Sequence, residues 1–301
     1  MNKKQTKIKK HFVGPAGWSY PDWRGTFYPI KSNTKFDELS FIAQHFDVVE
    51  INSSYYHPPS REAARSWASR ISGNKNFRFT AKLWQKFVQE RSIFTNHDIE
   101  NVQKALDTLM DKELLGALLI QFPQSFHNTI EGRSWLFRIL SLFKMYPLVV
   151  EFRHNSWNVQ QTLDMLKEMN SGFVNIDQPI IGNGLGFTEN LTSTISYFRF
   201  HGKNEHMWFE ETAGRDDRYN YTYKIEELNQ FLKAIERKMD ESRAIYIIFN
   251  NHFKGQALRN AFEFSYLLSG EKQDIPENLI KTYPELLTIR QPENPFQLEL
   301  F

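Results

Sequence analysis

The chain has 301 residues, 41% hydrophobic and 24% charged, with 26 phenylalanines and no cysteine. That supplies ample material for a folded core and excludes disulfides, thiolate metal sites and cysteine nucleophiles. The formal charge of +2 rests on Lys3, Lys4, Lys7, Lys9 and Lys10; without those five the chain stands at −3, which excludes a polyanion binder that works by net charge alone.

Residues 1–11 read as a disordered basic leader. No apolar run follows the lysines, as a signal peptide would need. Nothing reaches the roughly eighteen apolar residues of a membrane span. A cytoplasmic protein without membrane contact is expected.

Strand-like runs then follow at 12–18, 47–52, 77–83, 116–122, 148–154, 172–177, 196–202 and 244–251. Helical periodicity fills 36–46, 61–71, 98–110, 131–144, 156–169, 224–239 and 256–268. After the sixth strand, "IIGNGLGFTEN" reads as a loop; its GNGLG lacks the GxGxxG spacing of a dinucleotide fingerprint. Strand then helix, repeated about eight times, predicts an α/β protein with a single (β/α)8 TIM-type barrel over 12–288. An open doubly wound sheet is the alternative. The connection 203–223 is long and rich in aromatics, as expected of a lid or binding loop. Residues 289–301 read as a flexible tail.

Alternate residues of a strand share a face. Near the strand ends this rule groups Glu50 with Asn52, Thr80 with Lys82, Glu151 with Arg153, Asn175 with Asp177, and Tyr197 with Arg199 and His201. Gln121, Asn250 and Trp18 close further strands. If these faces point inward, acid–base chemistry around an anion follows. Glu50 and Glu151 would serve as general acid and base, and His201 as a proton carrier near neutral pH. Lys82, Arg153 and Arg199 would hold a phosphate or carboxylate, with Asn52, Gln121, His154, Asp177 and Asn250 as further contacts. The bland alternative is a mutually neutralised network that only holds the barrel together.

A divalent metal on Glu50, Glu151, Asp177 and His201 is possible in donor type. It is disfavoured by the three cations and by the lack of any HxH, HExxH or DxD spacing. No cofactor can be named.

The loop "GWSYPDWRGTFYP" carries Trp18, Tyr20, Trp23, Phe27 and Tyr28 around Arg24, and "NSSYYHPPS" adds Tyr55 and Tyr56. Such aromatics suit stacking on a base or sugar, with Trp18, Tyr20 and Tyr55 as contacts. A packed lid over the barrel end fits them equally well.

Together with "FDVVEINSSYYHPPS", "FRFTAKL", "LLIQFPQSF", "VEFRHNSW", "YFRFHG" and "IYIIFNNHFKGQALRNA", that loop resembles the YecE-like proteins, domain of unknown function seventy-two. The resemblance runs in order over about 12–268 and departs from the family pattern at His57 and His252. It implies a TIM-type barrel, and its likeness to barrels of the endonuclease IV type implies DNA repair by analogy of fold.

The chain ends in "QLELF", which resembles the bacterial sliding-clamp binding motif through Gln297, Leu298, Leu300 and Phe301. The expected partner is therefore the DNA sliding clamp, reached through the tail past Pro292 and Pro295. Function reads three ways. One is a clamp-recruited protein that acts on or senses DNA, as a hydrolase or lyase at a phosphodiester or damaged nucleotide. Another is a barrel enzyme for a small sugar or sugar phosphate. The third is a clamp-associated binding module without catalysis.

Overall fold

The computed structural model describes residues 11–30, 36–205 and 218–292. The basic leader up to Lys10, most of the expected loop at 203–223 and the clamp-like peptide lie outside them.

Eight strands form one parallel sheet: β1 (His11–Pro15), β2 (Val48–Ile51), β3 (Arg78–Lys82), β4 (Leu115–Gln121), β5 (Leu148–Glu151), β6 (Gly172–Asp177), β7 (Ile195–Phe200) and β8 (Ala244–Phe249). Their order is β1-β8-β7-β6-β5-β4-β3-β2. The ring closes between β1 and β2 through a single bridge, Ala16 to Glu50, where the Gly17 amide donates to the Glu50 carbonyl at 2.9 Å. The fold is a nearly closed (β/α)8 TIM-type barrel, and the open-sheet alternative is set aside.

Eight helices surround it among the described residues: α1 (Glu38–His45), α2 (Arg61–Arg70), α3 (Asn96–Asp111), α4 (Ile130–Phe143), α5 (Gln160–Glu168), α6 (Ile225–Glu236), α7 (Gln256–Ser269) and α8 (Glu277–Thr282). Local chemistry sets their starts. Asp37 caps α1 through the amides of Leu39 and Ser40, Ser60 caps α2, and Thr95 and Asp98 make a reciprocal capping box on α3. Each satisfies amides that a helix cannot pair internally. The helix expected from 156 begins at Gln160, because Trp157 is buried with its indole N–H donating to the Phe126 carbonyl. That contact holds Asn155–Trp157 in a 3-10 turn. No helix joins β6 to β7, as the sequence indicated. Helix α8 lacked a clear signal; it docks Leu279 and Ile280 into the core, and the Gln291 amide still pairs with the Gln273 carbonyl.

Inside the barrel, alternation stacks the side chains in levels. Phe12 lies on Tyr246 at 5.0 Å, and Tyr246 lies 5.8 Å from Tyr197. Gly116, at a register shift between β3 and β4, makes room for that level: a Cβ there would lie 2.6 Å from the Tyr246 hydroxyl. The β1–β2 seam is tighter still, since a Cβ on Gly14 would lie 2.0 Å from the Val48 carbonyl oxygen.

Backbone cannot yield as a flexible side chain can. Gly14→Ala is therefore expected to lose at least about 1–3 kcal/mol of stability. Gly73→Ala, where nothing lies within 4 Å, should change stability by less than about 0.5 kcal/mol. Urea unfolding of the two variants measures the difference; equal midpoints would show that the seam has slack.

Candidate functional site at the barrel mouth

The C-terminal ends of β2, β3, β4, β5 and β7 bring polar side chains onto the barrel axis, with Arg199 at their centre. Its Nη2 donates to Glu50 Oε1 at 2.7 Å, and its Nη1 donates to Glu151 Oε2 and, at 3.2 Å, to Gln121 Oε1. All three charged groups are buried. Tyr197 ties the same level together by bonding Glu50 Oε2 at 3.0 Å and Thr80 Oγ1 at 2.9 Å. Arg153 donates from Nε to Glu151 Oε1 at 3.1 Å and from Nη1 to Gln178 Oε1 at 3.4 Å.

The electrostatics follow from these contacts. Burial opposes the charge on Glu151, but the Arg199 guanidinium, His201 and Arg153 overcome it and hold the carboxyl well below its usual range. Glu151 therefore keeps no proton to give as a general acid near neutrality. His201, expected to carry protons near pH 7, is driven the other way. Burial, and then the Arg153 charge, push it down to about 3, so the ring stays neutral. Its Nε2 faces Arg153 Nη2 at 3.5 Å and Arg199 Nη1 at 3.4 Å, and its Nδ1 lies 3.0 Å from Asn250 Nδ2. Two guanidiniums thus balance two carboxylates.

Lys82 is the charge left over. Its ammonium makes no hydrogen bond or ion pair among the described residues and sits 4.4 Å from the centre of the Tyr55 ring. Tyr55, Gln121 and Arg153 line a cavity of about 260 Å³, with Gln89, Gln178 and Tyr219 among its other walls.

The family model described as "Protein of unknown function DUF72" matches residues 12–285. The chain belongs to the DUF72 family. It is 25% identical over 279 residues to UPF0759 protein YunF of Bacillus subtilis strain 168, covering 86% of this chain and 95% of YunF. Solved DUF72 structures superpose on it. One from Thermotoga maritima MSB8 has a TM-score of 0.74 at 30% identity, covering 86% of this chain and 99% of that one. One from Enterococcus faecalis V583 has a TM-score of 0.76 at 27% identity, covering 86% and 95%. None of these names carries the YecE label.

In this DUF72 barrel the residues expected at the mouth divide into two sets. Glu50, Lys82, Gln121, Glu151, Arg153, Arg199, His201 and Asn250 converge as described. Asp177 does not join them: it lies on the outer face of β6, takes a 2.6 Å hydrogen bond from the Tyr223 hydroxyl, and faces Lys203 at 3.5 Å. Asn175 points the same way, bonded to Thr188 and Asn190. Inward parity on β6 belongs to Ile176 and then Gln178, the residue the sequence reading missed. His154 turns away to cap its 3-10 turn through Ser156, its ring 4.2 Å from that of His127.

The aromatic loop is packing rather than a stacking platform. Trp23, Phe27 and Tyr28 are buried, Tyr20 is buried against the His252 ring at 4.5 Å with Asn52 donating to its hydroxyl at 3.4 Å, and Trp18 meets Trp67 edge-on. Only Tyr55, of the three aromatics expected to contact ligand, lines the cavity. Among the described residues no three His, Asp or Glu side chains are grouped as a metal site requires, and no helix is long and apolar enough to cross a membrane.

Arg199→Gln should strand two buried carboxylates and cost about 3–5 kcal/mol at pH 7. The wild type draws stability from the depressed Glu151 above the unfolded carboxyl value, and loses it as pH falls through the folded value. In the variant Glu151 loses the guanidinium that most depresses it and its carboxyl shifts upward, so the stability gap should narrow between pH 7 and pH 5. Denaturant titrations at both values test this; a constant gap would show that the bridge is not the source of the loss.

Proposed function

We propose that the mouth is the binding site of a small anionic metabolite of the sugar-phosphate class, and that the protein is an enzyme acting on it. The observation that carries this reading is the surplus charge. After Arg199 and Arg153 have met Glu50 and Glu151, the Lys82 ammonium has no ionic partner among the described residues and sits against Tyr55, a ring that lines a polar cavity. The Arg153 guanidinium also lines that cavity, and a guanidinium is a group suited to phosphate or carboxylate. Gln89, Gln121 and Gln124 offer neutral donors and acceptors for hydroxyl groups, and Tyr55 and Tyr219 supply apolar faces.

Size argues for a small ligand. A volume of about 260 Å³ falls just below the roughly 300–1,000 Å³ of pockets for drug-sized molecules. It suits a phosphorylated sugar or a single extruded nucleotide, and a duplex would not fit inside it. The DNA reading therefore survives only as chemistry on one nucleotide taken out of its stack. Buried and neutralised, Glu50 and Glu151 are better suited to holding Arg199 than to proton transfer with a ligand.

Isothermal titration with inorganic phosphate and with ribose 5-phosphate tests the site. Arg153→Gln removes charge-assisted hydrogen bonds worth about 1.5–3 kcal/mol, and should weaken binding by roughly 10- to 150-fold while Arg61→Gln, on the exposed start of α2, leaves it unchanged. Binding that ignores Arg153 would place the anion elsewhere.

Clamp recruitment is a separate proposal, supported by the sequence of Gln297, Leu298, Leu300 and Phe301. Burying two leucines and a phenylalanine yields about 1.5–3 kcal/mol each, while ordering five backbone residues takes back a comparable amount. A weak, exchangeable tether is the consequence. Deleting residues 297–301 should abolish capture by immobilised sliding clamp; capture by the shortened chain would remove this reading.

A further inference from the structure

The backbone around Lys82 is fixed. The Ser54 hydroxyl donates to its carbonyl at 2.8 Å, and the next amide, of Leu83, donates to the Leu119 carbonyl at 2.8 Å. From this anchored strand end the side chain leaves toward the axis, where other strands supply every charge it feels. Arg199 comes from β7, Glu50 from β2, and Glu151 and Arg153 from the end of β5. The neutral groups there are the Tyr197 phenol and the His201 ring, with Tyr55 against the ammonium itself. A lysine serving as a structural cation would be expected to take one of the carboxylates. Here both are held by Arg199, and Arg153 takes the remaining oxygen of Glu151. The lysine is left with the face of Tyr55, and it is through that ring, one wall of the cavity, that it approaches the cavity.

We propose that Lys82 is a nucleophilic amine that condenses with the carbonyl carbon of a small anionic aldehyde or ketone held in this cavity. The inference rests on the anion-site reading above, which it deepens by naming the reactive group of the ligand. The amine lone pair forms the C–N bond and the carbonyl π pair moves to oxygen, which takes a proton. The nitrogen gives up a proton, and the resulting hydroxyl leaves as water when a C=N bond forms. Amine and carbonyl go to imine and water, with no change of oxidation state. The protonated imine then takes up the electron pair of a neighbouring C–H bond to become an enamine, the proton passing to solvent water, and reprotonation and hydrolysis return the amine and the carbonyl, so the reaction class is proton exchange next to a carbonyl.

Burial first, and then the Arg199 charge, bring the lysine down to about 8 against the pull of Glu50 and Glu151. At pH 7.5 about a quarter of the molecules would hold the free amine, compared with about one in a thousand for an ordinary lysine. Tyr55 is pushed upward by burial and stays a protonated phenol over that range. Arg153 is placed to hold the anionic end of the ligand while the carbonyl end reaches the amine.

The test is reductive trapping on the full chain with cyanoborohydride. One arm uses glyoxylate and the other glycolaldehyde phosphate, so that the faster arm identifies carboxylate or phosphate as the anion. Peptide mass spectrometry should find Lys82 alkylated at least about tenfold faster than any other lysine, with a rate midpoint near pH 8. Inorganic phosphate should protect it, and Arg153→Gln, which leaves Lys82 in place, should slow it about tenfold or more. Lys82→Arg should keep phosphate binding and lose the label. Uniform labelling of surface lysines, or an unlabelled Lys82 in protein that still binds phosphate, overturns the inference and leaves the anion site standing. Rapid labelling of Lys82 without phosphate binding or protection would keep the amine and overturn the anion site. Neither binding nor labelling would remove both.

Discussion

The guanidinium of Arg199 is the constraint around which this barrel is organised. It spans the axis from β7 to β2 on one side and β5 on the other. None of the three ions is tolerable there alone: an unpaired buried charge costs several kcal/mol, and only close pairing with satisfied hydrogen bonds offsets it. The bridge matters most at the seam. Elsewhere neighbouring strands share ladders of two to six paired residues, but β1 meets β2 at one bridge, and that bridge falls on Glu50. The backbone of Glu50 closes the ring through Gly17 while its side chain reaches across to Arg199 and Tyr197. One residue thus couples closure of the cylinder to the charges inside it.

That coupling decides what the mouth can offer a ligand. Because the carboxylates are committed, the site behaves as a positive rim over a neutral floor. His201 reinforces this through its lack of charge, since a protonated ring beside two guanidiniums would be repelled by both. Among the described residues, the Lys82 ammonium meets the Tyr55 ring rather than a carboxylate. A barrel whose interior reads as acid–base machinery when its residues are counted becomes, once they are paired, two guanidiniums held on two carboxylates with the Lys82 ammonium at their edge.

Strand alternation made most of this visible in the sequence. Glu50, Thr80, Lys82, Gln121, Glu151, Arg153, Arg199, His201 and Asn250 all lie where the two-residue period puts them. The rule failed on β6, where the polar residues are the outward ones. The cause is the missing helix. A loop covers that face instead, and its polar groups from Thr188 and Asn190 satisfy Asn175, so polarity no longer marks the inside. Continuing the period from Ile176 would have selected Gln178. The aromatic loop after β1 was ambiguous for another reason, because rings destined for a ligand and rings destined for the core have the same composition. Only the bends that carry Trp23, Phe27 and Tyr28 into the core decide between them, and composition does not encode bends. Pairing was invisible for a related reason: alternation gives a residue's face but not which charge it meets.

The long connection after β7 shows how such a mouth can hold its charge fixed while its walls vary. The Tyr223 hydroxyl accepts from the Gly202 amide at 2.8 Å and donates to Asp177. Lys203, at the start of the connection, pairs with Glu227 beyond its end at 3.1 Å. The two ends are therefore joined to each other and to β6. Tyr219, four positions before Tyr223, lines the cavity. The same division holds around the rim. Gln89, Gln124, Gln178 and Gly184 come from connections, whereas Gln121 comes from a strand and Arg153 from just beyond one. Among the bonds described, the two groups meet most directly where Arg153 reaches Gln178. The paired ions therefore rest on the strands and just beyond them, and of these connection residues Gln178 is the one bonded to Arg153.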